Sequence, residues 1–262
     1  MLSLIFSTAL LATTSFEVAI EPRTPRDAKP VPPHIIEVQD RTLLQRGFVP
    51  FKGLKRTHAA VVGTPSGTHY AYDLASGALL LLWRGEFADT GNMWSARAFN
   101  QTVVPVGSDL ITFDGRPLLA FFPDRISEHP AAWLDQPHPL FTPQGYEIEP
   151  DGTPVFLSKF SNLLVRDRFT PLPNREGLQR TLTFDGRLSL WEDWLLIADG
   201  KTITDHGNTL TISPGGWSIE WPENSPHRPV ITKSQNREQL RLRITKQNLK
   251  TPVSYRVLFP RS

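Results

Sequence analysis

The chain has 262 residues, 39% apolar and 21% charged, with a formal net charge of +2 and no cysteine. Without cysteine there is no disulfide, no zinc-thiolate site, no covalent haem attachment and no thiol nucleophile. So small a net charge, with no stripe of Lys and Arg, argues against nucleic acid as a partner.

The N-terminal residues 2–16, LSLIFSTALLATTSF, are apolar or carry small hydroxyls. The run is too short for a membrane span and fits the apolar region of a secretory signal peptide. No Lys or Arg precedes it and no clear A-x-A follows, so the cleavage point is open between Ala12–Ser15 and Ala19. The expectation is a signal peptide over 1–20 and a secreted or periplasmic chain. Residues 21–33, EPRTPRDAKPVPP, hold five prolines. They predict an extended linker over 21–40, with a single β-sandwich domain over 41–262.

Strand signals then recur at roughly ten-residue spacing, as sandwiches and barrels require. They fall at 45–50, 57–62, 68–72, 77–84, 109–113, 117–121, 146–149 and 154–159, and continue at 162–169, 178–184, 194–198, 209–213, 217–221, 230–233, 239–245 and 253–259. Four Asp-Gly pairs, at 114–115, 151–152, 185–186 and 199–200, are read as hairpin turns, since both residues tolerate positive φ. Helix is confined to a short candidate at 127–135 and a turn at 236–239.

The first meander allows a closer reading. A two-residue loop at Pro65-Ser66 would set Val62 against His69, Ala60 against Ala71 and His58 against Asp73. The next run, ALLLLW at 78–83, is apolar on both faces and should be a central strand covered on both sides. About sixteen strands around such a centre predict an all-β fold: a large two-sheet antiparallel sandwich, or supersandwich, with very little helix. A propeller is disfavoured because no period near forty residues recurs.

The densest chemistry is Trp83, Arg84, Asp89, Trp94 and Arg97. Indoles, guanidinium groups and a carboxylate together are the chemistry of a sugar subsite, where indole faces stack on C–H patches and charged groups read hydroxyls. The bland reading pairs Arg84 with Asp89 and puts the indoles in the core. His58, His69 and Asp73 would converge in the register above. They could then orient an imidazole for proton transfer, supply metal ligands, or form a plain cross-strand hydrogen bond. No ligand spacing supports a metal, so neither metal nor cofactor is expected. Arg166, Arg168 and Arg180 are read as exposed outer-face positions. No G-x-S-x-G, P-loop, G-x-G-x-x-G or H-E-x-x-H occurs.

The runs VGTPSGTHYAYDLASGALLLLWRGEF, YEIEPDGTPVFLSKFSNLLVRDRFTP and GLQRTLTFDG together resemble an uncharacterised β domain of exported bacterial proteins. That domain occurs near or fused to c-type cytochrome and sugar-dehydrogenase-like modules. The resemblance spans roughly residues 45–260 and implies export, an all-β fold and a role beside oxidative carbohydrate metabolism. This chain lacks C-x-x-C-H and cannot itself hold a covalent haem. At fold level the pattern is also similar to galactose-mutarotase-like supersandwiches, and fold alone does not settle function.

The expectation is therefore a non-catalytic carbohydrate-binding or accessory module. Its ligand is a carbohydrate or similar polar small molecule. A periplasmic dehydrogenase or c-type cytochrome is the expected partner, with no nucleic acid and no membrane span. A mutarotase-like epimerase, a hydrolase or lyase, and a purely structural domain remain as alternatives. Export is tested by N-terminal sequencing of protein from the native host. The expected result is a mature chain that starts at or before about residue 21; an intact Met1 in a cytoplasmic fraction contradicts it.

Overall fold

A computed structural model describes residues 32–95, 101–122, 128–130, 139–233 and 236–260. The helix expected at 127–135 lies largely outside them. Twenty strands run through the described residues. In chain order they are β1 (Ile35–Ile36), β2 (Leu43–Phe51), β3 (Leu54–Gly63), β4 (Thr68–Asp73), β5 (Ala78–Arg84), β6 (Ala88–Asp89), β7 (Val104–Pro105), β8 (Ser108–Thr112), β9 (Leu119–Phe122) and β10 (Phe141–Ile148). Next come β11 (Pro154–Phe160), β12 (Leu163–Pro171), β13 (Gly177–Gly186), β14 (Glu192–Gly200), β15 (Thr202–Asp205), β16 (Thr209–Ser213), β17 (Trp217–Glu220), β18 (Val230–Lys233), β19 (Glu238–Arg243) and β20 (Val253–Leu258). A short helix, α1 (Gly91–Ser95), follows β6.

Strand accounts for 58% and helix for 3% of the structure, which places it firmly among all-β sandwiches. Four antiparallel sheets form, ordered β2-β3-β4-β5-β8, β10-β11-β12-β13-β20-β17-β16-β15, β18-β19-β14-β9 and β1-β6-β7. The five-stranded sheet lies between two cores. One face, with Ala60, Val62, Tyr70, Tyr72, Leu79 and Leu82, packs against the eight- and four-stranded sheets. The other, with Ala59, Val61, Ala71, Leu80, Leu81 and Trp83, is covered by Phe87, Ala88 and Val103, with Ile36 and Val38 packed alongside. The double covering expected of ALLLLW is present: residues 79–83 are each at most 7% exposed. A bulge sets Ala71 against Leu81 and Tyr72 against Leu79. It leaves Leu80 as the extra residue, so Leu80 and Leu81 both serve the second core.

The first hairpin differs from the expected register by one residue. Ala59 faces Asp73, Ala60 faces Tyr72 and Val62 faces Tyr70. The loop has three residues, Pro65 to Gly67, because Gly67 takes φ +75° and its N–H reaches the Thr64 carbonyl. A turn closed by a left-handed glycine adds one residue to the loop, and one residue exchanges the faces of the strand.

Of the four Asp-Gly pairs only Asp151-Gly152 closes a hairpin, between β10 and β11. Asp185-Gly186 ends β13, Asp199-Gly200 ends β14, and Asp114-Gly115 lies in the crossing from β8 to β9; each is followed by a strand in another sheet. The structured chain also starts earlier than expected. β1 falls inside the stretch read as linker and pairs with β6, because Ile36 and Val38 have an apolar core to cover. The turn expected at 236–239 runs instead into β19.

Arg180 is the sharpest departure. Asp167 and Arg180 both point inward and are 1% and 4% exposed. They pair through two hydrogen bonds, Nε to Oδ1 at 3.0 Å and Nη2 to Oδ2 at 2.5 Å. Arg180 also donates to the Gly77 carbonyl and to the Tyr255 hydroxyl. Arg166 and Arg168 occupy the outer face as expected, paired with Glu147 and Glu149.

Leu80→Ala should destabilise the chain by about 2–5 kcal/mol, read by urea unfolding, because it opens a cavity where no neighbour is free to collapse. A near-neutral result would mean that the second core is not a packed layer.

Candidate functional site

The expected cluster separates when its residues are followed into the fold. Trp83 and Arg84 are neighbours at the end of β5 and therefore project to opposite faces. Trp83 is fully buried. Its indole N–H donates to the carbonyls of Glu86 and Phe87, and its ring is parallel to Phe87 at 6.2 Å. No indole face is left for a ligand at this position. Asp89 holds the start of the chain: its Oδ1 accepts from the N–H groups of His34 and Gly91, both at 2.8 Å. Arg84 pairs with Asp109, at 3.8 Å, and not with Asp89. Trp94 belongs to α1, but its side chain, like the whole of Arg97, lies outside the described residues.

His58, His69 and Asp73 do not converge, a consequence of the one-residue shift in register. His58 is exposed, and its ring makes a hydrogen bond with Thr57 at 3.1 Å. Asp73 is a turn anchor. It accepts from Ala75 N–H at 2.9 Å and Ser76 Oγ at 2.8 Å, and pairs with buried Arg56 at 3.3 Å. Burial raises its carboxyl pKa above the ordinary range, and those hydrogen bonds and Arg56 oppose the rise. His69 is buried against Trp83 and Phe87. Its Nδ1 accepts from Thr64 N–H at 3.1 Å and its Nε2–H donates to the Gly85 carbonyl at 2.8 Å. With both ring nitrogens engaged, His69 has no lone pair free for proton abstraction. Among the described residues no group of three or more His, Asp or Glu is placed to hold a metal ion.

What the fold does build lies on the other side of Arg84. An open cleft of about 620 Å³ is lined by Arg84, Asp109, Asn174, Glu176, Glu220, Arg256 and the segment 258–260. That size is within the usual range for a small-molecule site. Arg84 stacks on Phe259 at 4.1 Å from guanidinium carbon to ring centre. Arg256 pairs with Glu220 at 2.9 Å, one row of the outer face of the eight-stranded sheet. Apart from Asp109, Arg84 has no polar partner among the described residues: its Nε is buried without a hydrogen bond, while the side chain as a whole stays 30% exposed beside the cleft. Gly107 permits this geometry: a Cβ there would lie 1.8 Å from the Arg84 carbonyl oxygen.

A second cleft, of about 440 Å³, adjoins it. Its walls are the segment 35–39, Thr64, Pro65, Gly67, Gly85, Glu86, Phe87 and Arg175, with His69 among them. Two pairs of consecutive residues are divided between the clefts: Arg84 and Asn174 line the first, Gly85 and Arg175 the second. Asn174 and Arg175 both hold positive φ, 55° and 57°, and Asp109 holds 52°. Such conformations cost of order 1–3 kcal/mol each in non-glycine residues, and they concentrate where a surface is shaped for a ligand. Arg175 is tied across by Nε to the Ser66 carbonyl at 3.0 Å. Sequence reasoning found Arg84 but missed Asp109, Asn174, Glu176, Glu220, Arg256 and Phe259, which are scattered over half the chain and share no spacing.

In comparison with known proteins, no family model matches the chain and no curated protein matches its sequence.

Burial lowers the pKa of His69; its hydrogen bond to Gly85 opposes this and the Arg175 charge adds to it. The unfolded chain, at about 6.5, therefore binds this proton more readily than the folded one. Stability from neutral His69 is complete above that value and is lost as the pH falls through the lower, folded one. Melting temperatures between about pH 7 and about pH 5 should decline less steeply in His69→Gln than in the parent. Equal slopes would mean that His69 does not carry this linkage.

Proposed function

We propose that the two adjoining clefts bind a neutral, hydroxyl-rich chain of the oligosaccharide type, and that the domain is a non-catalytic carbohydrate-binding module. The observation that carries the reading is Arg84: a partly exposed guanidinium backed by the Phe259 ring, its Nε buried without a hydrogen bond, lining a cleft whose other polar side chains are Asp109, Asn174, Glu176, Glu220 and Arg256. Carboxylates and guanidinium groups side by side accept from and donate to hydroxyls at once, and one missing hydroxyl leaves a desolvated charge unpaired. Sign matters too. Arg84, Arg175 and Arg256 face Asp109, Glu176, Glu220, Glu37 and Glu86 across the two clefts. The excess of carboxylate disfavours an anionic ligand such as a uronate chain. The division of Arg84–Gly85 and Asn174–Arg175 between the clefts favours a ligand longer than one ring.

The non-catalytic reading rests on His69 and Asp73, whose polar atoms are committed to the fold. In the same proposal the chain is exported and serves a periplasmic dehydrogenase or c-type cytochrome system, as the resemblance of its sequence implies.

Calorimetric titration with neutral oligosaccharides, chosen from a glycan array, tests the ligand. Arg84→Ala should weaken binding about tenfold or more, the loss of about one charged hydrogen bond, with the melting temperature nearly unchanged. If the parent binds no saccharide, or if Arg84→Ala binds equally well, the cleft is not a sugar site.

A further inference from the structure

The most exposed large apolar side chains among the described residues are adjacent. Leu190 is 103% exposed and Trp191 is 56% exposed, at the tip of the loop between β13 and β14. The loop is held in shape. Arg187 N–H donates to the Asn162 carbonyl at 3.1 Å. Ser189 N–H donates to buried Asp193 at 2.7 Å, and Ser189 Oγ to the Trp191 carbonyl at 2.7 Å. Leu188 packs inward against the main core. A hydrogen-bonded loop that half-buries one leucine and presents the next leucine and a tryptophan to water has the form of an interface anchor, since Trp is enriched among the side chains that dominate binding energy.

A receiving groove exists on the same chain. It measures about 440 Å³ on the outer face of the eight-stranded sheet and is lined by Gln144, Leu157, Leu164, Arg166, Thr183 and Asp185. Leu164 is 43% exposed there and faces Asp185 across the β12–β13 ladder. Tip and groove are neighbours, because Asp185 walls the groove and the tip loop begins two residues later. Their charges are complementary: Asp185 beside the groove and Arg187 beside the tip have no ion pair among the described residues.

We propose that the chain forms a two-fold dimer in which Leu190 and Trp191 of one copy dock in the Leu157–Leu164 groove of the other. A two-fold interface uses the same patch twice. Neighbouring tip and groove satisfy that requirement, and each Arg187 then meets the partner's Asp185. A lipid surface is the weaker occupant, since two side chains bury less apolar surface than one myristoyl chain, which alone holds a protein to a bilayer only marginally.

Sedimentation equilibrium of the full chain from about 1 to about 100 µM tests it. The expected result is a dimer for the parent. Leu190→Ser/Trp191→Ser and, separately, Leu164→Arg should each be monomeric, with melting temperatures close to that of the parent diluted to monomer. Mixing the two variants should restore association, because one intact tip and one intact groove remain. A parent that is monomeric at the highest concentration overturns the proposal, as does a dimer that survives both variants. Monomers that bind vesicles of phosphatidylcholine and phosphatidylglycerol through Trp191 also overturn it, in favour of a lipid surface.

Discussion

A guanidinium and a carboxylate, both out of reach of water, pair within the eight-stranded sheet, and the guanidinium reaches from there to the central one. Taking each charge out of water costs several kcal/mol, and only good geometry with further hydrogen bonds offsets it. Arg180 and Asp167 meet that condition with a two-bond pair, the Tyr255 hydroxyl and the Gly77 carbonyl. Burial works against the Arg180 charge, but Asp167 and the tyrosine hydroxyls outweigh it, and the guanidinium holds its proton more firmly than free arginine. Gly77 closes the turn between β4 and β5, the same turn that Asp73 anchors from the other end. Arg180, held by this pair within the large sheet, thus ties that turn of the central sheet to it.

The central sheet carries that constraint to the clefts. Its inner strands β4 and β5 are buried on both faces, so β5 has a single allowed depth and its last residues emerge at a defined place. Trp83 is the last β5 residue held by the second core, and Arg84, the end of the strand, is outside it. The Leu80 bulge matters here: an odd residue inserted into β5 decides which of the two neighbours faces the core. Phe259, just beyond β20, meets Arg84 from the large sheet. The first cleft is therefore a junction between two layers whose spacing is set by packed apolar surface and by the Asp167–Arg180 pair. A site built from strand ends in this way needs no flexible lid to bring its groups together.

Charged side chains in this fold divide by environment. Asp114 and Asp199 are drawn into a network with Lys52, Arg116, Arg237 and Gln239 at the crossings between sheets. Burial raises the Asp199 carboxyl pKa, whereas at Asp114 the surrounding cations outweigh burial and lower it. The charged groups that line the first cleft are half-exposed or exposed; Arg256 and Glu220 pair at 2.9 Å, and Arg84 and Asp109 more loosely at 3.8 Å.

By itself the sequence determined the class of fold and its centre. Short apolar runs separated by turn residues left no room for long helices, and a run apolar on both faces had to be a strand with two covers, because water-facing leucines at every position would not be stable. It also marked Arg84 and the two-sided environment at the end of β5. Tertiary structure decided the rest. Pro65-Ser66 suits a two- or a three-residue loop, and only the φ of Gly67, set by the packing of both strands, selects the register that separates His58 from His69 and Asp73. Asp-Gly tolerates positive φ equally in a hairpin and in a crossing between sheets, so three of the four pairs were misread. An arginine among polar neighbours reads as exposed, yet Arg180 is buried because Asp167, one strand away, is turned to meet it. The cleft itself draws on residues from 84 to 260, and no local pattern records a contact that forms only when distant strands are laid side by side.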